Sequence, residues 1–90
     1  EMENAAMAFP DVLEAAVVGR PDDVRGEAAV LFLTPKPEKK DTLDLKALHA
    51  FLSEKFAHWQ VPKLTDMHVI EAIPKTSVGK FDKKVLRKRL

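Results

Sequence analysis

The chain has 90 residues, 46% of them apolar and 32% charged, with no cysteine and a formal net charge of +1. That length suits one small globular domain and is too short for two cores, and without cysteine no disulfide framework can supplement the core. No apolar run in the sequence approaches the roughly 18 residues of a membrane span and no signal-peptide pattern opens it, so a soluble protein in a reducing, cytoplasmic setting is expected.

The sequence lacks an initiator Met and opens within what reads as an amphipathic helix, with Met2, Ala5, Ala6 and Phe9 at helical spacing, as a fragment of a longer protein would. Pro10 stops this helix. Residues 12–18 form a valine-rich apolar run ending at Gly19, which suits a buried strand. Residues 19–27 hold two glycines and a proline beside five charges and read as a structured loop. A second apolar run, 28–33, is the next strand, and 35–41 is a polar, lysine-rich connector. Thr42 can then cap a helix whose Leu45, Leu48, Leu52 and Phe56 share one face, with Phe51 beside them, before Pro62 closes the segment. Residues 67–73 have the composition of a third strand, and Asp82 can cap a final helix. The order helix, two strands, helix, strand, helix implies a small α+β domain with helices packed on a sheet of about three strands. There are no internal repeats and no low-complexity segment.

Charge is distributed unevenly. From Lys75 onward there are seven basic residues and one acid, Asp82. Val85, Leu86 and Leu90 supply an apolar stripe that makes a solvated basic helix face the simplest reading. A nucleic-acid or lipid-surface patch is the sharper alternative, and for nucleic acid the tail lacks any aromatic after Phe81 on which bases could stack. His49, His58 and His68 do not form an i, i+4 ligand pair and no cysteine joins them, so no metal site is expected. Trp59 reads as a packing anchor where the chain turns toward Pro62, and Met2, Met7 and Met67 as gap-filling core residues.

One segment is hard to explain as scaffold: Ile73-Pro74-Lys75-Thr76-Ser77-Val78-Gly79-Lys80. Pro74 fixes a backbone dihedral, Thr76 and Ser77 can make local turn hydrogen bonds, and Gly79 allows a backbone shape closed to other residues immediately before a lysine. The segment reads as a shaped loop presenting Lys80. It is no Walker-type phosphate loop, because Pro74 stands where the first Gly is required and Phe81 where Ser or Thr is required.

Pro74-Lys75-Thr76-Ser77-Val78-Gly79-Lys80 resembles the near-C-terminal signature Pro-x-Thr-x-x-Gly-Lys of the adenylate-forming enzymes, which include acyl-CoA synthetases, peptide-synthetase adenylation domains and firefly luciferase. Lys83-Lys84-Val85-Leu86-Arg87 continues it. Phe9-Pro10-Asp11-Val12 resembles the His-Pro-x-Val after that family's first helix, and Gly19-Arg20-Pro21-Asp22 with Arg25-Gly26-Glu27 resembles its Gly-x-Pro-Asp and Gly-Glu pair. Trp59-Gln60-Val61-Pro62 stands at its aromatic-x-x-Pro position. The likeness spans nearly the whole sequence and looks most like medium- and long-chain fatty acyl-CoA synthetases.

The resemblance implies that residues 1–90 are a single mobile C-terminal lid domain working with a large N-terminal domain. In such enzymes a carboxylate attacks the α-phosphate of ATP to give acyl-adenylate and pyrophosphate, then the small domain rotates and the thiol of CoA displaces AMP. Lys80 matches the catalytic lysine, and Pro74, Thr76, Ser77 and Gly79 the loop that presents it. ATP and CoA would be substrates, with Mg²⁺ held by the phosphates and the large domain. For CoA, Arg25 occupies the position whose counterpart reaches a phosphate, and Val61 the position whose backbone approaches the pantetheine. The late-helix basic position falls on Ser53, with Lys55 close by. The alternatives are an adenylation domain that loads a carrier protein or stops at acyl-AMP, and a non-enzymatic basic module that binds nucleic acid or lipid.

Overall fold

The computed structural model describes residues 1–24 and 26–90. The opening helix α1 spans Met2–Met7. It is followed by strand β1, Val12–Asp22, and strand β2, Gly26–Pro35. Helix α2 spans Leu45–Ser53, strand β3 Met67–Val69, and helix α3 Lys83–Arg87. Short 3-10 turns at Pro37–Lys39 and Leu64–Asp66 lead into α2 and β3. The sheet order is β1-β2-β3, with β1 antiparallel and β3 parallel to β2. The element order and the α+β class are those expected from the sequence.

Alternation along the strands divides the core between the two sheet faces. On the first face, Ala15 of β1 and Leu31 and Leu33 of β2 pack with Ala6 of α1, Leu48 and Leu52 of α2, Val61 and Met67. On the second, Ala16, Val18, Val30 and Phe32 pack with Ile73 and with Leu86 of α3. Two helices therefore cover one face, and the chain from Ile73 to α3 covers the other. A β-bulge sets this division early in β1, where the register slips between Val12, opposite Pro35, and Glu14, opposite Thr34. Val12 and Ala15 consequently share the first face, while Glu14 takes the parity of Ala16 and Val18 on the second.

Boundaries differ from the sequence reading for identifiable reasons. β1 continues through Gly19 and Pro21 into the stretch expected to be loop, pairing as far as Asp22 with Gly26. β1 is an edge strand, where a proline costs no ladder hydrogen bond on its open side. The cap of α2 is Asp44, not Thr42: its Oδ1 accepts from Lys46 N–H at 2.9 Å and Ala47 N–H at 3.4 Å. Leu43 and Leu48, on either side of that cap at the staple positions, belong to the same core. α2 ends at Ser53, whose hydroxyl donates to the His49 carbonyl at 2.8 Å, and Phe56 reaches the core from beyond the helix. β3 stops at Val69 and not at residue 73, because Ile70 and Ile73 turn into the second core. Leu86 alone of the tail's apolar residues is buried; Val85 and Leu90 are exposed. Met67 is buried, and Met2 and Met7 pack partly buried against the first core, as gap-filling residues would.

One side-chain pair fixes the approach to β3. Arg20 of β1 donates to both carboxylate oxygens of Asp66, from Nε at 3.2 Å and Nη2 at 2.9 Å. That fork holds the Arg20 guanidinium above its ordinary pKa, chiefly through the hydrogen bonds to Asp66.

Candidate functional site

Residues 74–82 form a small hairpin. Lys75 and Phe81 are antiparallel bridge partners. Asp82 N–H donates to the Pro74 carbonyl at 2.7 Å, and Thr76 N–H to the Lys80 carbonyl at 2.7 Å. The tip is a three-residue loop, 77–79, closed by Gly79 N–H on the Thr76 carbonyl at 2.9 Å. Gly79 has φ +87°, the left-handed last residue that this loop length favours. A Cβ at Gly79 would meet nothing within 4 Å, so backbone conformation and not space demands glycine there.

Alternation along the hairpin assigns its two sides. Phe81 packs against the second core and Lys75 reaches back to β1, while their neighbours Thr76 and Lys80 are exposed on the outer side. Lys80 is thus an open ammonium at the base of a tight turn. Asp82 ends the hairpin and begins α3, its Oδ1 accepting from Val85 N–H at 3.4 Å.

Ion pairs fasten the hairpin to the sheet and the start of α3 to α1. Lys75 Nζ lies 2.7 Å from Glu14 Oε2 on β1, and Lys83 Nζ lies 2.8 Å from Glu3 Oε2 on α1. Glu3 Oε2 also accepts the Val17 N–H of the open β1 edge at 2.7 Å. Burial pushes the Glu3 carboxyl up, but the hydrogen bonds from Lys83 and Val17 and the Lys83 charge outweigh it and hold it below its ordinary pKa of 4.5. Glu3 and Glu14 were not singled out from the sequence, and Lys75 and Lys83 were read there only as members of the signature and of the basic tail. The one available signal was Glu14, the lone charge in an otherwise apolar run.

The other candidate residues lie elsewhere. Val61 is buried in the first core, on the sheet face opposite Ile73 and Phe81. Lys55 follows α2 on that same side, its Nζ 5.0 Å from the Phe51 ring centroid, a cation–π contact. Arg25 lies outside the described residues; its neighbour Gly26 has φ +81° where β2 begins. Lys80 and its loop therefore share one hairpin, while Lys55 and Val61 belong to the opposite face.

A groove of about 640 Å³ runs beside β1, lined by Gly19, Glu27, Trp59, Gln60, Lys83 and Arg87 among others. Gly19 leaves room for the Glu27 side chain, with which a Cβ would collide. Trp59, expected as a packing anchor, is 66% exposed and forms part of this groove, because Val61 and Pro62 take the buried positions of that turn. His68 lies against the Phe32 ring with centroids 5.3 Å apart. Among the described residues no three His, Asp or Glu side chains come together as a metal ion would require, and no helix is long and apolar enough to cross a membrane.

A family model described as AMP-binding enzyme C-terminal domain matches residues 1–80, ending at Lys80. The chain is 37% identical to a 2,3-dihydroxybenzoate-AMP ligase of Bacillus subtilis, over 100% of this chain and 16% of that protein. It is 40% identical to an acetyl-coenzyme A synthetase of Deinococcus radiodurans, over 97% of this chain and 13% of the relative. In three dimensions it resembles a Mycobacterium tuberculosis fatty acyl CoA synthetase with a TM-score of 0.83 and 29% identity, covering 99% of this chain and 17% of that one.

Proposed function

We propose, from the premise that the chain belongs to the AMP-binding enzyme C-terminal domain family, that it is the mobile lid of an AMP-forming fatty acyl-CoA synthetase and delivers Lys80 to the adenylation step. The observation that carries this reading is the placement of Lys80: an exposed ammonium at the base of a hairpin whose other side is fastened to the sheet. During adenylation, negative charge gathers on the attacking carboxylate, the α-phosphate and the bridging oxygen. A cation held beforehand at that point stabilises the transition state without reorganising. At an effective dielectric of about 20, unit charges about 4 Å apart attract by about 4 kcal/mol, enough to make the position of one lysine matter.

The distribution of the candidate residues over the two sheet faces supports a lid that uses two surfaces in turn. Lys80 lies on the side of the second core, whereas Val61 and Lys55 lie toward the first. A domain that carries one step's residues on one face and the other step's on the opposite face serves both by rotating. Rotation would withdraw Lys80 and bring Arg25, Lys55 and the Val61 backbone toward CoA. The large N-terminal domain of the same enzyme would supply the ATP and acyl pockets and, with the phosphates, the ligands of Mg²⁺. The chain spans about one seventh of the length of the relatives it matches, 13% to 16%, which leaves room for such a partner. A cytoplasmic location fits this chemistry.

The fatty acyl assignment draws on the likeness to a fatty acyl CoA synthetase. The identity to a 2,3-dihydroxybenzoate-AMP ligase favours a second reading, an adenylation enzyme that stops at acyl-AMP or loads a carrier protein. The two separate in one assay on the intact ligase, offered a series of fatty, short-chain and aryl acids with ATP. CoA-dependent release of AMP with fatty acids is the expected result. Acyl-AMP that accumulates whether or not CoA is present would establish the second reading instead.

A further inference from the structure

Glu14 sits on β1 without any role in the chemistry described above, and its position is unusual for a strand carboxylate. Val12 and Glu14 would share a face in a regular strand, which would direct Glu14 toward α1 and α2. The bulge between them moves Glu14 to the second face, alongside Ala16 and Val18. Bulges commonly re-aim a side chain beside a functional site. Here the side chain so aimed meets Lys75, with Oε2 2.7 Å from Nζ.

Lys75 in turn is placed by the hairpin. Its bridge partner Phe81 packs on the second core, as does Ile73 two residues earlier, so the sheet-facing side of the hairpin is Ile73, Lys75 and Phe81. Ile73 and Phe81 provide apolar contact, which resists separation but not sliding. The Glu14–Lys75 pair adds a directional contact, and it lies on the strand residue next to the Thr76–Lys80 hydrogen bond. Because both side chains are partly exposed, at 46% for Lys75 and 26% for Glu14, the pair contributes little to global stability. Its consequence is where the hairpin rests.

We propose that Glu14 is a positioning residue for Lys80: through Lys75 it fixes the register of the hairpin on the sheet, and hence the point to which the Lys80 ammonium is delivered. This rests on the reading of Lys80 as the adenylation lysine. Misplacement of a catalytic group by about 1 Å can cost as much as about 10²-fold in rate, and loss of one of several anchors should cost less, roughly tenfold.

The test uses the intact ligase and measures both half-reactions, pyrophosphate exchange and thioester formation from supplied acyl-AMP. Glu14→Gln and Lys75→Gln break the pair from either side, and Glu14→Lys with Lys75→Glu restores it with reversed charge. Each single variant is expected to lower kcat for exchange roughly tenfold with KM for ATP and thioester formation near normal. The reversed pair should recover most of the loss, and Glu14→Gln should add nothing in a Lys80→Ala background. If Lys80→Ala slows exchange while both single variants leave it unchanged, or slow the two half-reactions equally, the positioning role is wrong and the reading of Lys80 stands. If Lys80→Ala leaves exchange unchanged, that reading fails and this inference with it.

Discussion

The carboxylate of Glu3 and the ammonium of Lys83 meet at 2.8 Å, and the same carboxylate oxygen accepts the Val17 N–H at 2.7 Å. One side chain thereby joins α1, the open edge of β1 and the start of α3. Its folded pKa lies below the ordinary value of 4.5. A depressed carboxylate pKa contributes stability that is fully present above the unfolded value and is lost as pH falls through the folded one. Denaturant unfolding followed from pH 7 downward should therefore show stability falling below about pH 4.5, and Glu3→Gln should flatten that part of the profile. Glu3→Ala at neutral pH removes the acceptor of the Val17 N–H on this open edge together with the Lys83 pair, and should cost about 0.5–1.5 kcal/mol. An acid limb of equal steepness in Glu3→Gln would show that Glu3 is not the group responsible.

Gly79 has φ +87° and open space where a Cβ would stand. Gly79→Ala should therefore strain the backbone without a clash, at a cost of about 1–2 kcal/mol. Because that strain falls on the turn before Lys80, pyrophosphate exchange should slow as well. Gly79→Asn, which tolerates the left-handed region better, should be milder in both respects. An alanine variant as stable and as active as the parent would mean that the turn relaxes freely and does not hold Lys80.

If Arg25 holds a CoA phosphate in the thioester step, Arg25→Ala should raise the apparent KM for CoA and leave pyrophosphate exchange near normal. The paired half-reaction assays read both quantities. A loss of thermal stability with an unchanged CoA dependence would assign Arg25 to holding its own loop.

Residues 1–90 should fold alone and catalyse nothing alone. The sheet has a packed core on each face, and each helix contributes at least one buried residue: Ala6 from α1, Leu48 and Leu52 from α2, Leu86 from α3. An ammonium on a hairpin cannot by itself bind ATP or orient a carboxylate, and most of a bimolecular rate gain comes from holding both reactants. Calorimetry should give a single cooperative transition, and AMP formation should require the large domain. Activity from this piece alone would refute the lid reading.

The parts of this fold legible in the sequence are those governed by local rules. Two short apolar runs, the first of them valine-rich, marked β1 and β2, the Leu48 and Leu52 spacing marked the face of α2, and Asp82 was recognisable as the cap of α3. The Pro-Gly framework around Lys80 was legible as a shaped turn because φ-restricted and φ-permissive residues mark turns directly. Pairing was not legible. The extension of β1 through Pro21 depends on its being an edge strand, and the early end of β3 on Ile70 and Ile73 being drawn to the second core. The bulge at Leu13, which decides where Glu14 points, is a register event that the sequence of one strand does not encode. The ion pairs at Glu3 and Glu14 span the fold and follow only once the faces are known.

The most direct test of the account is Lys80→Ala in the intact ligase, assayed separately for the two half-reactions. Acyl-adenylate formation, read as pyrophosphate exchange, should fall by roughly 10²- to 10³-fold, the scale on which one preorganised electrostatic group acts. Conversion of supplied acyl-AMP to thioester should be much less affected, because Lys80 would have rotated away from the reacting atoms by then. Equal damage to both half-reactions, or to neither, would contradict the assignment of Lys80 to the adenylation step.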